Sequence, residues 1–360
     1  KEVLSMNRNI EDYIKPGARA HLVGVGGVSM APLAEVLKGK GVEITGSDMR
    51  ESGTVERLRG LGIPVIIGHL PGSVEGAGCV IRTAAVHDDN PEIAAALRAG
   101  IPVFERAQAW GAIMGHYKNA LCVAGTHGKT TTTSMCTHIF LAAGRDPSVM
   151  IGGTLPILGA GHRVGHGDTI IAESCEYCNS FLSFAPTVAV ILNVEADHLD
   201  FFKDLEDIKA SFRKFAELVP STGSVIVNND NAGARSVACG LDAFTFGLEE
   251  GAECTAQNLT WERGLPAFDI VVHGEKYAHV SLRVGGAHNV SNALAAASAA
   301  YVLGVPGTAV EEGLVSFTGA GRRFEKKGTY HGADVYDDYA HHPDELRALL
   351  TMAKTLGYRR

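Results

Sequence analysis

The stretch "NALCVAGTHGKTTTTSMCTHIFLAAG", residues 119–144, decides how the rest of the chain is read. "NALCVAG" is a short apolar run closed by glycine, the mark of a buried strand. "TTTSMCTHIFLAAG" has the length and the closing glycine of a helix. Between them lies "GTHGKTTTT", Gly125–Thr133, ending in the Gly-Lys-Thr of a phosphate-binding loop. Backbone amides at such a turn face an anion, Lys129 adds a positive charge, and the Thr130 hydroxyl stands where it can ligate Mg²⁺. The longer pattern G-x-x-x-x-G-K-[ST] puts its first glycine at position 123, where this chain has Val123. Four threonines then follow the lysine, although β-branched Thr is a mediocre helix former. Their hydroxyls are expected near phosphate.

Working outward, a second such series precedes this one. "RAHLVGVGG" is a buried strand ending in glycines, "SMAPLAEVLKGKG" is helical, and "VEITGSD" is a strand ending in Asp48. "PVIIG", "CVIRTAAV" and "IPVF" continue the rhythm to about Arg106, with "NPEIAAALRAG" as one of the helices. Strand and helix in alternation predict a parallel sheet covered by helices. After the phosphate loop come strands "TIIAESC", "TVAVILNV" and "SVIVNND", with a helix near "DLEDIKASFRKFAELV". From "AFTFG" to "SLRVGG" short strands with Gly and Pro turns predict a small antiparallel patch, and "HNVSNALAAASAAYVLG" a helix stopped by Gly304. The last 35 or so residues predict a strand pair and one helix, too little for an independent core, so the third domain is expected to be incomplete. The expected division is 1–106, 107–322 and 323–360.

The composition narrows the function classes. With 46% apolar and 20% charged residues the chain is globular. A formal net charge of -8 without a basic stripe argues against nucleic acid as partner. No apolar run approaches the roughly 20 residues that span a bilayer, and "KEVLSMNRNIEDYIKPG" lacks the apolar centre of a signal peptide. Position 1 is not Met, consistent with a processed start. Seven scattered cysteines fit a reduced cytoplasm. Cys175 and Cys178 form the one C-x-x-C and have no second pair, so a zinc reading is weak.

The candidate site residues fall at strand ends, where parallel sheets bind ligands. "GVGGVSM" offers Gly24, Gly26, Gly27 and Ser29, close to a dinucleotide fingerprint, with Asp48 about 20 residues on. His69 and Thr83 end further strands of that series. In the second series Glu173 closes an apolar run, Glu176 follows, and "NVEADHLD" supplies Glu195, Asp197, His198 and Asp200 as a cation site or substrate clamp. His288, Asn289 and Asn292 either cap a helix or read a purine and ribose. "GRRFE" and "DDYAHHP" add Arg322, Arg323, Asp338 and Tyr339, and His341-His342 are safest read as turn residues.

Taken in chain order, "GVGGVSM", "GSD", "GTHGKTTTT", "ESCEY…SFL", "NVEADHLD", "HNVSNALAA", "GRRFE" and "DDYAHHP" cover nearly the whole sequence. This series resembles the Mur ligases, ATP-dependent amide-forming enzymes of peptidoglycan precursor synthesis, and within them the alanine-adding branch. The resemblance implies an α/β fold: a Rossmann-like N-terminal domain for the UDP-sugar, a central P-loop-type ATPase domain, and a C-terminal α/β domain that brings the amino acid. It implies the shorter loop G-T-x-G-K-[ST], in which Gly125 does the turning. It implies ATP and Mg²⁺ as cofactors, with UDP-N-acetylmuramate and L-alanine joined through an acyl phosphate. Gly125, Thr126, Gly128, Lys129, Thr130, Thr131, His288, Asn289, Asn292, Arg323 and Asp338 would serve ATP. Thr130, Glu173 and His198 would hold Mg²⁺. Gly24, Gly26, Gly27, Ser29, Asp48, His69, Thr83, Glu176 and Tyr339 would meet the substrates. Lys129, Glu173 and His198 would carry the chemistry.

Several relatives in the family use a carbamoylated lysine; here that place falls near Phe212 and Arg213, and no such modification is expected. Rival readings are a tripeptide-adding recycling ligase, an incomplete UDP-sugar and ATP-binding fragment without turnover, and an NAD-dependent oxidoreductase. The last leaves the Gly125 loop, Glu173 and His198 without a role. A cytoplasmic monomer or weak homodimer, not inserted in a membrane, is expected.

Overall fold

The computed structural model describes residues 9–340 and 343–356, so His341-His342 and the first eight residues lie outside the described residues. The chain divides into two compact units, 1–116 and 117–360.

The first unit alternates as the apolar runs predict. Its strands are β1 (Arg19–Val23), β2 (Glu43–Asp48), β3 (Val65–Ile67), β4 (Cys79–Arg82) and β5 (Val103–Glu105). Its helices are α1 (Met30–Gly39), α2 (Gly53–Gly60), α3 (Pro91–Arg98) and α4 (Arg106–Met114). The strands form one parallel sheet in the order β3-β2-β1-β4-β5. Helix boundaries follow local chemistry. The Ser52 side chain caps α2 and Asn90 caps α3, with Pro91 at the first helical position. Buried Leu22, Val23, Leu33, Leu37, Ile81 and Ile113 close the layers. α4 extends this unit past residue 106, and its Trp110 is buried, with Nε1 pointing to the Ser29 carbonyl.

The second unit holds a ten-stranded sheet. In chain order it contains β6 (Asn119–Ala124), α5 (Lys129–Ala142), β7 (Ser148–Leu155), β8 (Ala160–Arg163), β9 (Thr169–Glu173) and β10 (Val188–Ile191). Then come α6 (Leu205–Glu217), β11 (Ser224–Asn228), α7 (Ala232–Ala238), β12 (Ala243–Gly247), β13 (Cys254–Glu262), β14 (Leu265–Val272) and β15 (Glu275–Ser281). Helices α8 (Ala287–Val302) and α9 (Gly307–Ser316), the hairpin β16 (Glu325–Tyr330) and β17 (Ala333–Asp337), and α10 (Pro343–Thr355) complete it. The sheet order is β15-β14-β13-β12-β11-β10-β6-β9-β7-β8.

One expectation changes here. The "AFTFG" segment is not part of a separate antiparallel patch. β12 pairs in parallel with both β11 and β13, and the antiparallel strands β13 to β15 extend the same sheet. The hairpin β7–β8 is an element that the sequence pattern does not announce, since glycines interrupt its apolar run; β7 joins the sheet in parallel with β9.

Packing beneath the sheet depends on small side chains. The α8 face from Ala293 to Ala300 is fully buried, and Gly304, with φ 65°, stops the helix as its sequence suggests. α9 packs on α5 at Gly313, where a Cβ would lie 2.5 Å from the Ile139 Cα, so any larger residue forces the helices apart. At α6, Phe181 stacks on Phe215 at 4.6 Å and meets Phe212 edge-on at 5.2 Å. Phe212 is fully buried, while Arg213 beside it is partly exposed and pairs with Glu217.

Candidate active site

β6 lies inside its sheet with β10 on one side and β9 on the other. Its C-terminal end opens into Gly125–Gly128, and α5 starts at Lys129. The residue that makes the turn is Gly128, with φ 83°, at the N-cap of α5. Gly125 serves a close approach as well: a Cβ there would stand 2.9 Å from Leu192 Cβ. Gly125 also has a positive φ, 152°, so two glycines shape the loop where the sequence singles out Gly125. Only glycine tolerates Gly128's conformation without strain.

The loop is held by residues that the motif does not single out. Asn193, two residues after β10, accepts the His127 amide on Oδ1 at 2.7 Å and donates Nδ2 to the His127 carbonyl at 3.1 Å. Its own carbonyl accepts the Thr126 amide. Thr126 Oγ1 accepts the Glu195 amide at 2.9 Å. The signal in the sequence is the Asn that ends "ILN", a polar residue aimed from a buried strand end at the neighbouring loop.

Lys129 folds back across its own loop. Nζ donates to the Gly125 carbonyl at 2.5 Å and lies 3.0 Å from Glu176 Oε2. Both side chains are nearly enclosed, 13% and 3% exposed. Burial pushes the ammonium pKa down, but the Glu176 carboxylate outweighs it and holds Lys129 above its ordinary range. The lysine is a fixed cation at the anion-facing end of a helix.

The threonines divide their work. Thr130 Oγ1 donates to Glu173 Oε1 at 3.1 Å. Thr132 Oγ1 donates to Asn292 Oδ1 at 3.2 Å, and Thr133 bonds back to the Lys129 carbonyl. Buried Thr132 and Thr133 therefore serve the helix and its neighbour α8, contrary to the expectation that these hydroxyls face phosphate; Thr131 is half-buried. Glu173 is fixed from its other side by the Gly152 amide, 2.7 Å from Oε2. A Cβ on Gly152 would come within 2.9 Å of that carboxylate.

His288, Asn289 and Asn292 open α8, but they do not cap it. The N-cap is Gly286 and no side chain bonds the helix end. Asn289 donates to the Gly285 carbonyl and accepts from Asn292. Asn292 is thereby committed to the Gly128 loop and Thr132. Burial depresses the His288 pKa against an opposing pull from Asp338. Asp338 accepts the Phe324 and Ala340 amides, each at 2.7 Å. The Arg322 and Arg323 guanidinium carbons lie 4.8 and 5.9 Å from the Tyr339 ring centre.

The "NVEADHLD" acids do not converge. Glu195 accepts from Asn231 at 3.2 Å, Asp200 accepts from the Tyr177 hydroxyl at 2.9 Å, and Asp197 accepts the His198 amide. His198, at φ 51°, lies 4.0 Å from Glu176 and packs on the Tyr177 ring at 4.8 Å. Among the described residues no three metal-ligating side chains form one cluster. The Thr130 hydroxyl and Glu173 carboxylate do fit a hard divalent ion, which takes oxygen donors and keeps several waters or phosphate oxygens. All seven cysteines are free thiols.

In the first unit the strand-end residues gather. Gly24, at φ 78°, would bring a Cβ within 3.1 Å of Thr83 Cγ2, and the Gly26 amide donates to Asp48 Oδ2 at 2.8 Å. Gly27 donates to the Gly24 carbonyl, and the Ser29 hydroxyl accepts from Arg106. His69 Nδ1 lies 2.9 Å from Glu92 Oε2. Glu92 is fully buried, and sequence reasoning misses it: in "NPEI" it reads as an ordinary acid of a first helical turn. Desolvation pushes its pKa up, but the nearby His21 imidazole and the hydrogen-bond partners Ser47 and His69 bring it down to about 2.

Family comparisons cover this same extent. Residues 19–118 match the Mur ligase family catalytic domain, 123–300 the Mur ligase middle domain and 322–360 the Mur ligase glutamate ligase domain. The chain is 45% identical to a UDP-N-acetylmuramate–L-alanine ligase of Caldanaerobacter subterraneus subsp. tengcongensis, over 95% of this chain and 75% of that one. It is 46% identical to the protein of the same name from Lachnospira eligens, over 92% and 74%. It is also similar to the crystal structure of UDP-N-acetylmuramate–alanine ligase from Thermotoga maritima, with TM-score 0.81 and 31% identity over 94% of this chain and 78% of that one. A murein peptide ligase from Psychrobacter arcticus gives TM-score 0.78 at 26% identity, over 96% and 78%. Matched along both units and at the phosphate loop, the chain belongs to the Mur ligase family.

Proposed function

We propose that this chain joins L-alanine to the carboxylate of UDP-N-acetylmuramate at the expense of ATP, a step of peptidoglycan precursor synthesis. The observation that carries this is identity of 42–46% over at least 92% of the chain to ligases of that name. The loop geometry supports it, because Lys129, the Gly125–Gly128 backbone and the N-terminus of α5 form a cationic cradle for a nucleotide polyphosphate. The murein peptide ligases that add a tripeptide are less similar, at 26–27% identity in the solved structures, so alanine is the favoured acceptor.

The chemistry assigns work to this chain's own groups. The substrate carboxylate takes the terminal phosphoryl group of ATP and ADP leaves. The alanine amine then attacks the acyl carbon, and inorganic phosphate departs with the amine's proton passed to a base or water. Two anions must first be brought together. At about 4 Å and an effective dielectric near 20, each like-charge contact costs about 4 kcal/mol. Lys129 offsets it, held rigidly by Glu176 and the Gly125 carbonyl. Bound Mg²⁺ would supply further positive charge, held by Thr130 and Glu173, with His198 as an additional ligand. His288, Asn289, Asn292, Arg323 and Asp338 would serve the nucleotide, directly or, for Asn292, by bracing the loop. Gly24, Gly26, Gly27, Ser29, Asp48, His69 and Thr83 would take the UDP-sugar in the first unit, and Glu176 and Tyr339 would lie toward the acceptor amine. We place the domain limits at 1–116, 117–322 and 323–360, the first moved on from 106 because α4 belongs to the first unit.

No helix among the described residues is long and apolar enough to cross a membrane; a cytoplasmic monomer or weak homodimer is proposed. The test is phosphate release with Mg²⁺-ATP and UDP-N-acetylmuramate, started either by L-alanine or by L-alanyl-γ-D-glutamyl-meso-diaminopimelate. Alanine-dependent release is expected. Release that needs the tripeptide and ignores alanine would overturn the reading.

A further inference from the structure

The first unit contains a buried charged cluster that the ligation chemistry does not use. Glu92 and His21 are both 0% exposed, as is Ser47. Glu92 Oε2 accepts from Ser47 Oγ at 2.5 Å and pairs with His69 Nδ1 at 2.9 Å, while Oε1 faces His21 Nε2 at 3.5 Å. His21 Nδ1 is itself 2.8 Å from Thr45 Oγ1. Such a carboxylate is costly to bury without partners, and its place in the first turn of α3 gives it the favourable end of the helix dipole.

The cluster reaches the strand ends through two of its members. The Ser47 carbonyl accepts the Gly24 and Val25 amides, so it anchors the glycine loop. His69 follows β3, whose neighbour Gly68 donates to the Asp48 carbonyl. Of the three side chains around the Glu92 carboxylate, His21 and Ser47 are fully buried and His69 is partly exposed, its side chain at 12%. With Nδ1 turned to the carboxylate, Nε2 is the nitrogen it presents away from the cluster. Which imidazole nitrogen carries the proton is set by the bond the other makes.

From this geometry we infer that Glu92 is a positioning residue: it holds His69 as the Nδ1–H tautomer, so that Nε2 accepts a hydroxyl of the nucleotide sugar. The hydroxyl belongs to the ribose or to the hexose, and both are present in UDP-N-acetylmuramate. This rests on the UDP-sugar reading of the first unit given above.

The test combines affinity with a direct view of the ring. Calorimetry with UDP and with UDP-N-acetylmuramate is run on the full chain, on Glu92→Gln, on His69→Gln and on the double variant. In Glu92→Gln the amide oxygen can keep Ser47 and His69 only by turning its NH2 toward His21, and it carries no charge, so it holds the Nδ1–H of His69 less tightly than the carboxylate does. This substitution is expected to weaken binding roughly tenfold, the scale of one well-placed hydrogen bond, and to weaken it no further in the His69→Gln background. A loss seen with both ligands assigns the ribose; one seen only with the UDP-sugar assigns the hexose. Long-range ¹H–¹⁵N spectra of the imidazoles, assigned through His69→Gln, should show protonated Nδ1 in the unsubstituted protein. An Nε2–H tautomer there overturns the proposal whether or not Glu92→Gln folds. Equal losses from Glu92→Gln in both backgrounds would also overturn it, reducing Glu92 to a structural acid. Failure of the unsubstituted protein to bind UDP-N-acetylmuramate would overturn the substrate reading instead, and with it the ligand half of this inference, while the Nδ1 signal still decides the Glu92–His69 half.

Discussion

Lys129 Nζ stands 3.0 Å from Glu176 Oε2 and 2.5 Å from the carbonyl of Gly125, so a loop residue, a strand-end acid and the loop backbone form one rigid unit. A flexible lysine would lose rotamer freedom on meeting phosphate, whereas this one is ordered in advance, which lowers the entropic cost of binding. The same arrangement makes each partner dependent on the other, because both are almost enclosed.

Lys129→Ala should therefore act twice. Turnover is expected to fall by about 10²–10³-fold, as for loss of one preorganised donor. Stability is expected to fall by about 3–5 kcal/mol, because Glu176 is left buried without its cation. Lys129→Ala/Glu176→Gln should recover most of the stability and none of the turnover. Chemical denaturation beside phosphate release separates the two effects. The pH dependence has a definite sign. The folded-state pKa of Lys129 lies above its ordinary 10.5, so the pair's contribution is complete at neutral pH and is lost only as pH rises through the folded value.

Gly152→Ala tests the support behind Glu173. The new Cβ would meet both carboxylate oxygens, at 2.9 and 3.1 Å, and would displace the acid from the Gly152 amide and from Thr130. Outer-shell partners of metal ligands typically govern about 10–100-fold in metal affinity. The Mg²⁺ concentration giving half-maximal rate should rise by about that factor, while UDP-N-acetylmuramate affinity stays as it was. An unchanged Mg²⁺ requirement in a folded variant would remove Glu173 from the proposed metal site.

Much of this is legible in the sequence, and the reasons differ by element. Strands β6 and β10 are near-continuous apolar runs, as a sheet covered on both faces favours, and the polar residues that follow them mark the ligand edge. β7 is illegible because Gly152 and Gly153 break its pattern, and its pairing to β9 bridges the β8 hairpin. Glu92 is illegible for another reason. Its partners His21, Ser47 and His69 lie 23 to 71 residues away in sequence, and nothing local distinguishes it from a solvated acid. The threonine run is conspicuous, yet two of its hydroxyls answer to Asn292 and to the α5 backbone.

Glu92 should also be visible in acid stability. Its carboxyl pKa falls from 4.5 to about 2 on folding. A depressed folded pKa gives stability that is complete above the unfolded value and is lost as pH falls from about 4.5 through about 2. At 1.36 kcal/mol per pKa unit the contribution is about 3 kcal/mol. Urea denaturation of the unsubstituted protein and of Glu92→Gln should differ by roughly this amount at pH 7, and the gap should narrow below pH 4. A gap that stays constant across that range would mean the effect is one of shape rather than charge.

Gly128 joins the loop to α8 by a contact that only glycine permits. Its φ of 83° costs an ordinary residue about 1–2 kcal/mol, and a Cβ there would lie 2.6 Å from Asn292 Oδ1. Gly128→Ala therefore carries a conformational penalty plus a steric one, and the two are separable by a double-mutant cycle. Asn292→Ala alone removes the acceptor of Thr132 Oγ1, a buried hydroxyl, at a cost of about 1–3 kcal/mol. In the Asn292→Ala background the added methyl at position 128 loses its severest clash and keeps only Leu192 Cδ1, at 3.2 Å, so its cost should shrink toward the conformational part. The expected coupling is about 1 kcal/mol or more in stability. Nucleotide affinity, measured by displacement of a fluorescent ATP analogue, should fall in Gly128→Ala and recover only partly in the double variant, because the left-handed turn is still strained. Strict additivity in stability would show that Asn292 does not brace the loop.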